Sequence, residues 1–161
     1  MMYVLLELGS NYKKLLLLMV NHHRKLENMY LSAPINELYK PTIKITEGEC
    51  FIESQVSADF FHAANALHGS VYFKVLDDAA FFAANSVICD VFVLTGTFEI
   101  KLIRPVNRGN LIAKGELLKH LGNKLEARAK LFNENGIFLA MGSGLFIKSD
   151  KTLVDIESYK I

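Results

Sequence analysis

Two adjacent carboxylates, Asp77 and Asp78, interrupt a long apolar segment that begins at the pair His68-Gly69. At the first turn of a helix the backbone N–H groups lack intrahelical partners and the helix dipole favours negative charge, so Gly69 could bind a developing oxyanion. Desolvation in an apolar helix would raise the pKa of Asp77 and make this carboxylate a usable base. Thr95 lies in a later strand that should run near this helix. These residue types predict chemistry on a carbonyl group.

The two carboxylates are not expected to share one role. Neighbours on a helix point about 100° apart, so Asp77 and Asp78 cannot serve one site equally. Lys74 lies four residues before Asp78, a spacing that allows an ordinary surface ion pair worth a few tenths of a kcal/mol. We therefore expect Asp78 to be a surface charge and Asp77 to be the functional carboxylate. His68 has no metal-ligand partners in the sequence and is expected to support the turn by hydrogen bonding.

Composition narrows the class of protein. The 161 residues suffice for one domain with a full core, and the formal net charge of +1 gives no reason to expect a nucleic-acid partner. Two cysteines without motif spacing, Cys50 and Cys89, indicate a reducing compartment. The apolar run 15–20 is shorter than the roughly 20 residues of a membrane span, and no small-residue cleavage site follows it. We expect a cytoplasmic protein without membrane association, a metal or a separate cofactor. His22 and His23 are expected at the surface.

The remaining segments must position the candidate residues. Ser10 or Asn11 can cap a helix that runs to Met29 or Tyr30; with a start at Met29, the residues before it would have little structural role. After Pro34, alternating apolar residues and turn signals predict strands over residues 39–46, 50–56, 91–103, 111–120, 124–132 and 137–148. The central helix is predicted over about 69–88, with a peripheral tail over 149–161.

Short connections after residue 90 require antiparallel pairing, and a helix that is apolar almost all round must be covered. The sequence therefore predicts an α+β domain at residues 33–148, with an antiparallel sheet wrapped around one long central helix. An N-terminal extension and helix, residues 1–32, would precede this domain.

The pattern resembles that of the hotdog-fold acyl-CoA thioesterases, in particular the PaaI-like group of the phenylacetate-pathway type. The family pattern is His-Gly-Gly, six residues, Asp-x-Ala, and a later Ala-x-Asn-Ser. It is matched by His68-Gly69-Ser70, Leu76-Asp77-Asp78-Ala79 and Ala83-Ala84-Asn85-Ser86. Arg104-Pro105-Val106 and Gly109 resemble the family's Arg-Pro…Gly turn. The likeness covers roughly residues 33–148.

The resemblance implies roles for three residues. Asp77 falls on the family's catalytic carboxylate, which acts as a general base on water or as a nucleophile. Gly69 falls on the glycine whose N–H polarises the thioester carbonyl. Thr95 falls on a Ser/Thr that orients the water or the carboxylate in some relatives. The family often has an Asn six residues before the motif His; here His62 stands there and Asn65 lies three residues later, so either residue could hold the lytic water.

The resemblance also implies a substrate and an assembly. Acyl-CoA would be hydrolysed, with coenzyme A as part of the substrate. His68, Ser70, Phe81 and Arg104 are the candidate substrate-binding residues. Because the two halves of a site in this fold come from different protomers, a homodimer or a dimer of dimers is implied. The phenylalanines of the segment, Phe60, Phe61, Phe73, Phe81 and Phe82, would line a pocket suited to medium-chain or aromatic acyl groups.

Two alternatives remain open at this stage. A hotdog protein that binds acyl-CoA without hydrolysing it, as a sensor or regulator, would share the fold, and the missing family Asn favours this alternative. A hydratase or dehydratase on the same fold ranks lower, because those enzymes pair a catalytic His with a carboxylate in a different local motif.

Overall fold

A computed structural model describes residues 2–160, with side chains described from residue 12 onward. Three helices and six strands make up the fold, together with single 3₁₀ turns at Ala58–Phe60, Leu153–Asp155 and Glu157–Tyr159. The helices are α1 (Met2–Leu31), α2 (Asn36–Tyr39) and α3 (Gly69–Asn85). The strands are β1 (Thr42–Thr46), β2 (Glu49–Gln55), β3 (Val91–Leu102), β4 (Asn110–Leu121), β5 (Lys124–Asn133) and β6 (Phe138–Thr152).

The strands form one antiparallel sheet in the order β1-β2-β4-β5-β6-β3, which wraps around α3. The predicted α+β fold, with a sheet around one central helix and a helix before it, is confirmed. The β-branched and aromatic residues of the strands alternate between the face against α3 and the outer face. Short turns join β4 to β5 and β5 to β6, so these strands pair as antiparallel neighbours. Strand β3 instead lies at the edge of the sheet beside β6, and residues 103–109 lead from it to β4.

The core lies between α3 and the concave face of the sheet. Helix α3 contributes Leu76, Ala79 and Ala80, which are fully buried, and the strands contribute large side chains such as Phe146 and Leu131. Burying each large apolar side chain contributes about 1.5–3 kcal/mol. Helix and sheet touch most closely at Gly115 of β4, where a Cβ atom would overlap the carbonyl oxygen of Ala79. A side chain at this position would push the central helix off the sheet.

Element boundaries differ from the predicted ones in three places. Strand β1 begins at Thr42, because the residues before it, up to Tyr39, form α2. Helix α3 ends at Asn85 rather than at residue 88. Strand β6 continues to Thr152, beyond the predicted end at residue 148.

The glycines of β6 allow the neighbouring strand to approach closely. A Cβ atom at Gly142 or Gly144 would overlap the ring of Phe98 on the neighbouring strand β3.

The N-terminal helix differs from its prediction in extent and in environment. It begins at Met2, so Ser10 and Asn11 lie inside the helix instead of capping it. His22 and His23 are buried, with 4% and 6% exposure, and Leu26 is fully buried. The expectation of surface histidines, and of little structural role for residues before Met29, is therefore wrong. Among the side chains described, only those of the C-terminal part of this helix pack on the body, through Leu26, Met29 and Tyr30, and the two histidines lie within that contact. The apolar run Leu15 to Leu18 is exposed.

Hydrogen bonds of His22 connect α1 and the C-terminal segment to the end of α3. Because the carbonyl oxygen of Asn85 can only accept, Nε2 of His22 donates to it at 3.0 Å, and Nδ1 accepts from the hydroxyl of Tyr159 at 2.6 Å. His23 Nε2 donates likewise to the carbonyl oxygen of Ser86 at 3.2 Å. Leu153 and Tyr159 are buried, so the segment after β6 is not peripheral.

No helix within residues 2–160 is long and apolar enough to span a membrane.

Candidate active site

The site begins at the first turn of α3. His68 is the N-cap, and its Nδ1 accepts the backbone N–H of Ser70 at 3.1 Å, while the hydroxyl of Ser70 lies 2.8 Å from the same nitrogen. His68 thus supports the turn, as expected. The N–H of Gly69 has no acceptor in the described part of the chain. It is a free donor at the positive end of a helix dipole, which suits an oxyanion.

A cleft of about 280 Å³ lies in front of this donor. Its wall includes His62, Tyr72 and Arg104. The hydroxyl of Tyr72 donates to the carbonyl oxygen of Arg104 at 3.0 Å, and Nη1 of Arg104 donates to the carbonyl oxygen of Phe138 at 2.7 Å. These bonds fix the predicted Arg-Pro turn beside the start of α3. The structure therefore brings Arg104 next to Gly69.

Asp77 lies about two turns further along α3, facing strand β3. The hydroxyl of Thr95 lies 3.2 Å from Oδ1 and 3.4 Å from Oδ2 of Asp77 and donates to this carboxylate. Burial raises the pKa of Asp77 to about 6, against the opposing effects of Thr95 and Lys74, while the neighbouring Asp78 adds to the rise. A carboxylate with this pKa is largely ionised at neutral pH and still basic enough to accept a proton.

The carboxylate of Asp77 borders an apolar cavity of about 340 Å³. Side chains from α1, the following loop, α3 and β3 line its apolar part: Met29, Ile35, Phe81, Phe82, Phe92 and Leu94. Phe81 therefore lies in the wall of this cavity, next to Asp77. Three other predicted lining residues, Phe60, Phe61 and Phe73, do not border this cavity, so that part of the prediction is wrong. Phe60 stacks on Tyr39 at 4.6 Å between ring centroids, and Phe73 packs edge-on against Phe98.

Within the chain, the Gly69 donor and the Asp77 carboxylate lie far apart. Gly69 and Asp77 are eight residues apart on α3, and a rise of about 1.5 Å per residue places them about 12 Å apart along the axis. A reacting carbonyl needs both groups within about 3 Å. His62 and Asn65 lie on the Gly69 side, where Nδ1 of His62 accepts the N–H of Ala64 at 3.1 Å and Asn65 has a φ of 58°. Neither residue borders the Asp77 cavity.

The expectation that Asp78 is a surface charge is wrong. Its predicted pairing with Lys74 exists, with Nζ at 2.5 Å from Oδ2, but the two side chains are only 12% and 22% exposed for Lys74 and Asp78. The hydroxyl of Tyr30 donates to the same carboxylate at 3.0 Å, and Lys74 also donates to Oδ1 of Asn36 at 2.8 Å. Burial raises the pKa of Asp78, and Lys74 and Tyr30 oppose that rise.

Sequence spacing did not reveal Tyr30 and Asn36 as part of the site. They are separated from their partners by 48 and 38 residues respectively. The signal available was the Pro34 break, which turns the chain at the end of α1 and allows the following residues to fold over the cavity.

Comparisons with known proteins bear on the family and on the fold. Residues 64–140 match the family model described as the thioesterase superfamily. The PaaI protein of the E. coli phenylacetic acid degradation operon is similar in structure, with a TM-score of 0.76, 18% identity, and coverage of 84% of this chain and 98% of that one. No curated protein sequence matches the chain significantly.

Two further solved structures are similar. A variant of a thioesterase enzyme from Staphylococcus aureus has a TM-score of 0.67 and 16% identity, covering 71% of this chain and 98% of that chain. A variant of the phenylacetic acid degradation protein PaaI from Thermus thermophilus has a TM-score of 0.65 and 20% identity, covering 72% of this chain and 99% of that one. The segment from just before the site to the first residues of β6 thus matches the thioesterase superfamily, and the chain shares the hotdog fold of these solved structures.

Proposed function

We propose that this protein hydrolyses acyl-CoA thioesters to the free acid and coenzyme A. The observation that carries the proposal is the half-buried carboxylate of Asp77, whose pKa is raised to about 6 and which borders an apolar cavity. The match of residues 64–140 to the thioesterase superfamily supports thioester hydrolysis as the class of reaction. A basic carboxylate beside an apolar pocket has the two features that thioester hydrolysis needs, a proton acceptor and a place for the acyl chain.

Two routes use the same residues. In the first, Asp77 takes a proton from water, the hydroxide oxygen bonds to the thioester carbonyl carbon, and the resulting oxyanion accepts the N–H of Gly69. Collapse then breaks the C–S bond, and the thiolate leaves and takes up a proton. In the second, the carboxylate itself attacks, the thiolate leaves, and water hydrolyses the acyl anhydride. Thr95 orients the carboxylate in either route.

The site is proposed to form between two protomers. Gly69 and Asp77 of one chain are too far apart to act on one carbonyl, so the donor and the carboxylate of each site come from different copies. Strand β3 is the long edge of the sheet, 12 residues with no partner strand beyond it among residues 2–160. Its Leu94 is 54% exposed. A long exposed edge is a template for pairing with a second chain, and Asp77 lies beside it through its bond to Thr95.

The lining of the cavity supports apolar acyl groups. Three phenylalanines together with Met29, Ile35 and Leu94 face it, which suits medium-chain or aromatic acyl groups. Arg104, exposed beside Gly69, is the candidate contact for a coenzyme A phosphate, since a guanidinium binds phosphate through two parallel hydrogen bonds. His62 or Asn65 would hold the lytic water across the protomer boundary.

A first experiment tests the carboxylate. A screen of acyl-CoA thioesters that follows thiol release compares the wild type with Asp77→Ala. We expect hydrolysis of at least one medium-chain or aromatic acyl-CoA, and a loss of about 10³-fold or more in kcat for the variant. Unchanged turnover in Asp77→Ala would refute the assignment of this residue.

A second experiment tests the oxyanion donor by removing a single N–H. Gly69 is the first residue of α3, where proline is well tolerated, and His68 has the extended conformation that precedes proline, with ψ of 144°. Gly69→Pro therefore deletes the donor while keeping the helix, and it should lower kcat about 10²–10³-fold. Gly69→Ala is the matched control, because its Cβ makes an ordinary 3.5 Å contact with Leu102 and its N–H remains.

Mixing the two variants tests the shared site. When Asp77→Ala and Gly69→Pro subunits are denatured together and refolded, half of the dimers are mixed, and each mixed dimer has one intact composite site. The mixture should recover about a quarter of wild-type activity if sites span protomers. No recovery, with mixed dimers shown to form, contradicts the shared site.

The alternative of a non-catalytic acyl-CoA-binding protein is favoured by one observation. His62, in place of the family Asn, is exposed and uses Nδ1 on its own loop. Thermal stabilisation by acyl-CoA without thiol release from any thioester tested would favour that alternative.

A further inference from the structure

The carboxylate next to Asp77 belongs to a buried cluster that the proposed reaction does not use. Oδ2 of Asp78 accepts hydrogen bonds from Lys74 at 2.5 Å and from the hydroxyl of Tyr30 at 3.0 Å. Lys74 donates in addition to Asn36 at 2.8 Å, and its ammonium group lies 5.3 Å from the ring centre of Tyr30. We call Lys74, Asp78, Tyr30 and Asn36 the polar cluster.

The polar cluster lines the same cavity as Asp77. Lys74 precedes Asp77 by three residues, which places both side chains on one face of α3, and Asp78 is its immediate neighbour. Asp77 therefore faces one positive and one negative group of its own helix. Because Lys74 and Asp78 are mostly buried, water screens their charges poorly.

Few other groups in the described residues around the cavity can influence the charge of Asp77. From β3 the nearest polar side chain is the hydroxyl of Thr95, which carries no charge. From α1 the phenol of Tyr30 faces the cluster, and burial raises its pKa far above neutrality, so it remains neutral. Lys74, Asp77 and Asp78 are the only acidic or basic side chains that line the cavity among residues 12–160.

The pairing of Lys74 with Asp78 has a consequence for Asp77. Two adjacent carboxylates in one half-buried site repel each other, and one of them would take up a proton. Lys74 bonds to Asp78 and so cancels most of its charge, and it also attracts the charge of Asp77. Two residues of the N-terminal segment stabilise this ion pair: Tyr30 donates to Asp78, and Asn36 accepts a hydrogen bond from Lys74. These bonds keep the side chain of Lys74 beside Asp78 and away from solvent.

We propose that Lys74 and Asp78 form one electrostatic unit that controls the ionisation of Asp77, and that Tyr30 and Asn36 fix its geometry. These are positioning residues that act through Asp77. The proposal rests on the proposed function, because it assigns this unit to the reacting carboxylate. Removal of Lys74 and removal of Asp78 should therefore shift the pKa of Asp77 in opposite directions.

Each member is removed separately. Lys74→Met removes the positive charge and leaves Asp78 unneutralised, so the pKa of Asp77 should rise. Asp78→Asn removes the repelling charge and frees Lys74 to act on Asp77 alone, so this pKa should fall. The double variant removes both charges and should return the pKa of Asp77 towards the wild-type value. Lys114→Met, which removes an exposed lysine on β4, is the matched control and should change nothing.

The pKa of Asp77 is measured directly by titration of its ¹³C-labelled carboxyl group in NMR spectra, with the signal assigned by its absence in Asp77→Asn. The acid limb of the pH profile of kcat/KM is measured in parallel. We expect displacements of about half a pH unit or more, upward for Lys74→Met and downward for Asp78→Asn. Displacements of the same sign, or none, overturn the proposal, because a purely structural ion pair would lower stability without moving this titration in opposite directions.

The NMR readout separates the two hypotheses. If no thioester is hydrolysed but the titration of Asp77 moves as expected, the proposed function fails and the electrostatic unit stands. If Lys74→Met does not fold, the downward displacement in Asp78→Asn decides: its presence supports the unit, and its absence overturns it.

Discussion

Asp77 should weaken the fold at neutral pH, so its replacement by asparagine should stabilise the protein. The pKa of this carboxyl group rises from 3.8 to about 6 on folding, chiefly because burial disfavours its charge. Between these two values the folded state binds more protons than the unfolded state. The free energy of unfolding therefore falls as the pH rises from about 4 to 6, and the loss is complete above the folded pKa.

The structure sets the size of this effect. A difference of about two pH units corresponds to about 3 kcal/mol, at about 1.4 kcal/mol for each unit. The carboxylate is partly exposed at the mouth of its cavity, and screening by water reduces the figure to about 1–2 kcal/mol. Asparagine has the same shape and can still accept the hydroxyl hydrogen bond of Thr95, so Asp77→Asn removes the charge and little else.

Urea denaturation at two pH values tests this expectation. At pH 8 we expect Asp77→Asn to be more stable than the wild type by about 1–2 kcal/mol, whereas at pH 4 the difference should nearly vanish because Asp77 is then protonated. Asp90, a largely exposed carboxylate, supplies the control Asp90→Asn, which should show no such pH-dependent gain. Equal stability of Asp77→Asn and the wild type at pH 8 would mean that Asp77 is not held in a desolvated site, and the chemical role proposed for it would lose its basis.

Three further predictions concern the parts of the fold that support the site. Thr95→Val removes the hydrogen bond that lowers the pKa of Asp77, so the acid limb of kcat/KM should move to higher pH; an unmoved limb would show that this bond is not formed in solution. Gly115→Ala places a methyl group against the backbone of Ala79 and should lower the free energy of unfolding by about 2 kcal/mol or more, as measured in urea, with wild-type stability contradicting the close contact. His22→Leu removes two buried hydrogen bonds and should cost about 1–3 kcal/mol at pH 8. Its cost should be smaller at pH 5, because burial lowers the pKa of His22 and the wild type itself loses stability as the pH falls through the ordinary histidine value of about 6.5, whereas a cost independent of pH would contradict the burial of a neutral imidazole.

The architecture followed from the sequence to a large extent, because its signals are local. Alternating apolar residues marked all six strands, and the helix that is apolar on nearly every side could only lie beneath them. The contact between Thr95 and Asp77 was also predictable, since one follows the other across a single turn into the next strand. The ends of the elements were less predictable: the last residues of β6 depend on pairing with β3, which lies far away in sequence.

The histidines of α1 show what local patterns cannot supply. The sequence predicts a surface position for His22, because a histidine without ligand partners is more often a surface residue. Its burial depends on two partners distant in sequence, a carbonyl oxygen freed at the end of α3 and the hydroxyl of Tyr159. The local sequence of residues 12–31 does not predict those partners. Only the tertiary structure shows that hydrogen bonds compensate for the burial of the polar ring of His22.

Asp77 and Asp78 differ for a reason of the same kind, and here the consequence is chemical. Their side chains leave α3 about 100° apart, so each meets a different neighbour. Asp78 turns towards the N-terminal segment, where an ammonium group and a phenol both donate to its Oδ2 and oppose the rise in pKa that burial causes. Asp77 turns towards the open edge strand, where the hydroxyl of Thr95 is its hydrogen-bond partner, and its remaining lone pairs stay available to water or to an acyl carbon. The free edge that exposes Asp77 is also the surface on which a second protomer can bring the donor of Gly69, so the position that makes this carboxylate reactive is the one where its site can be completed.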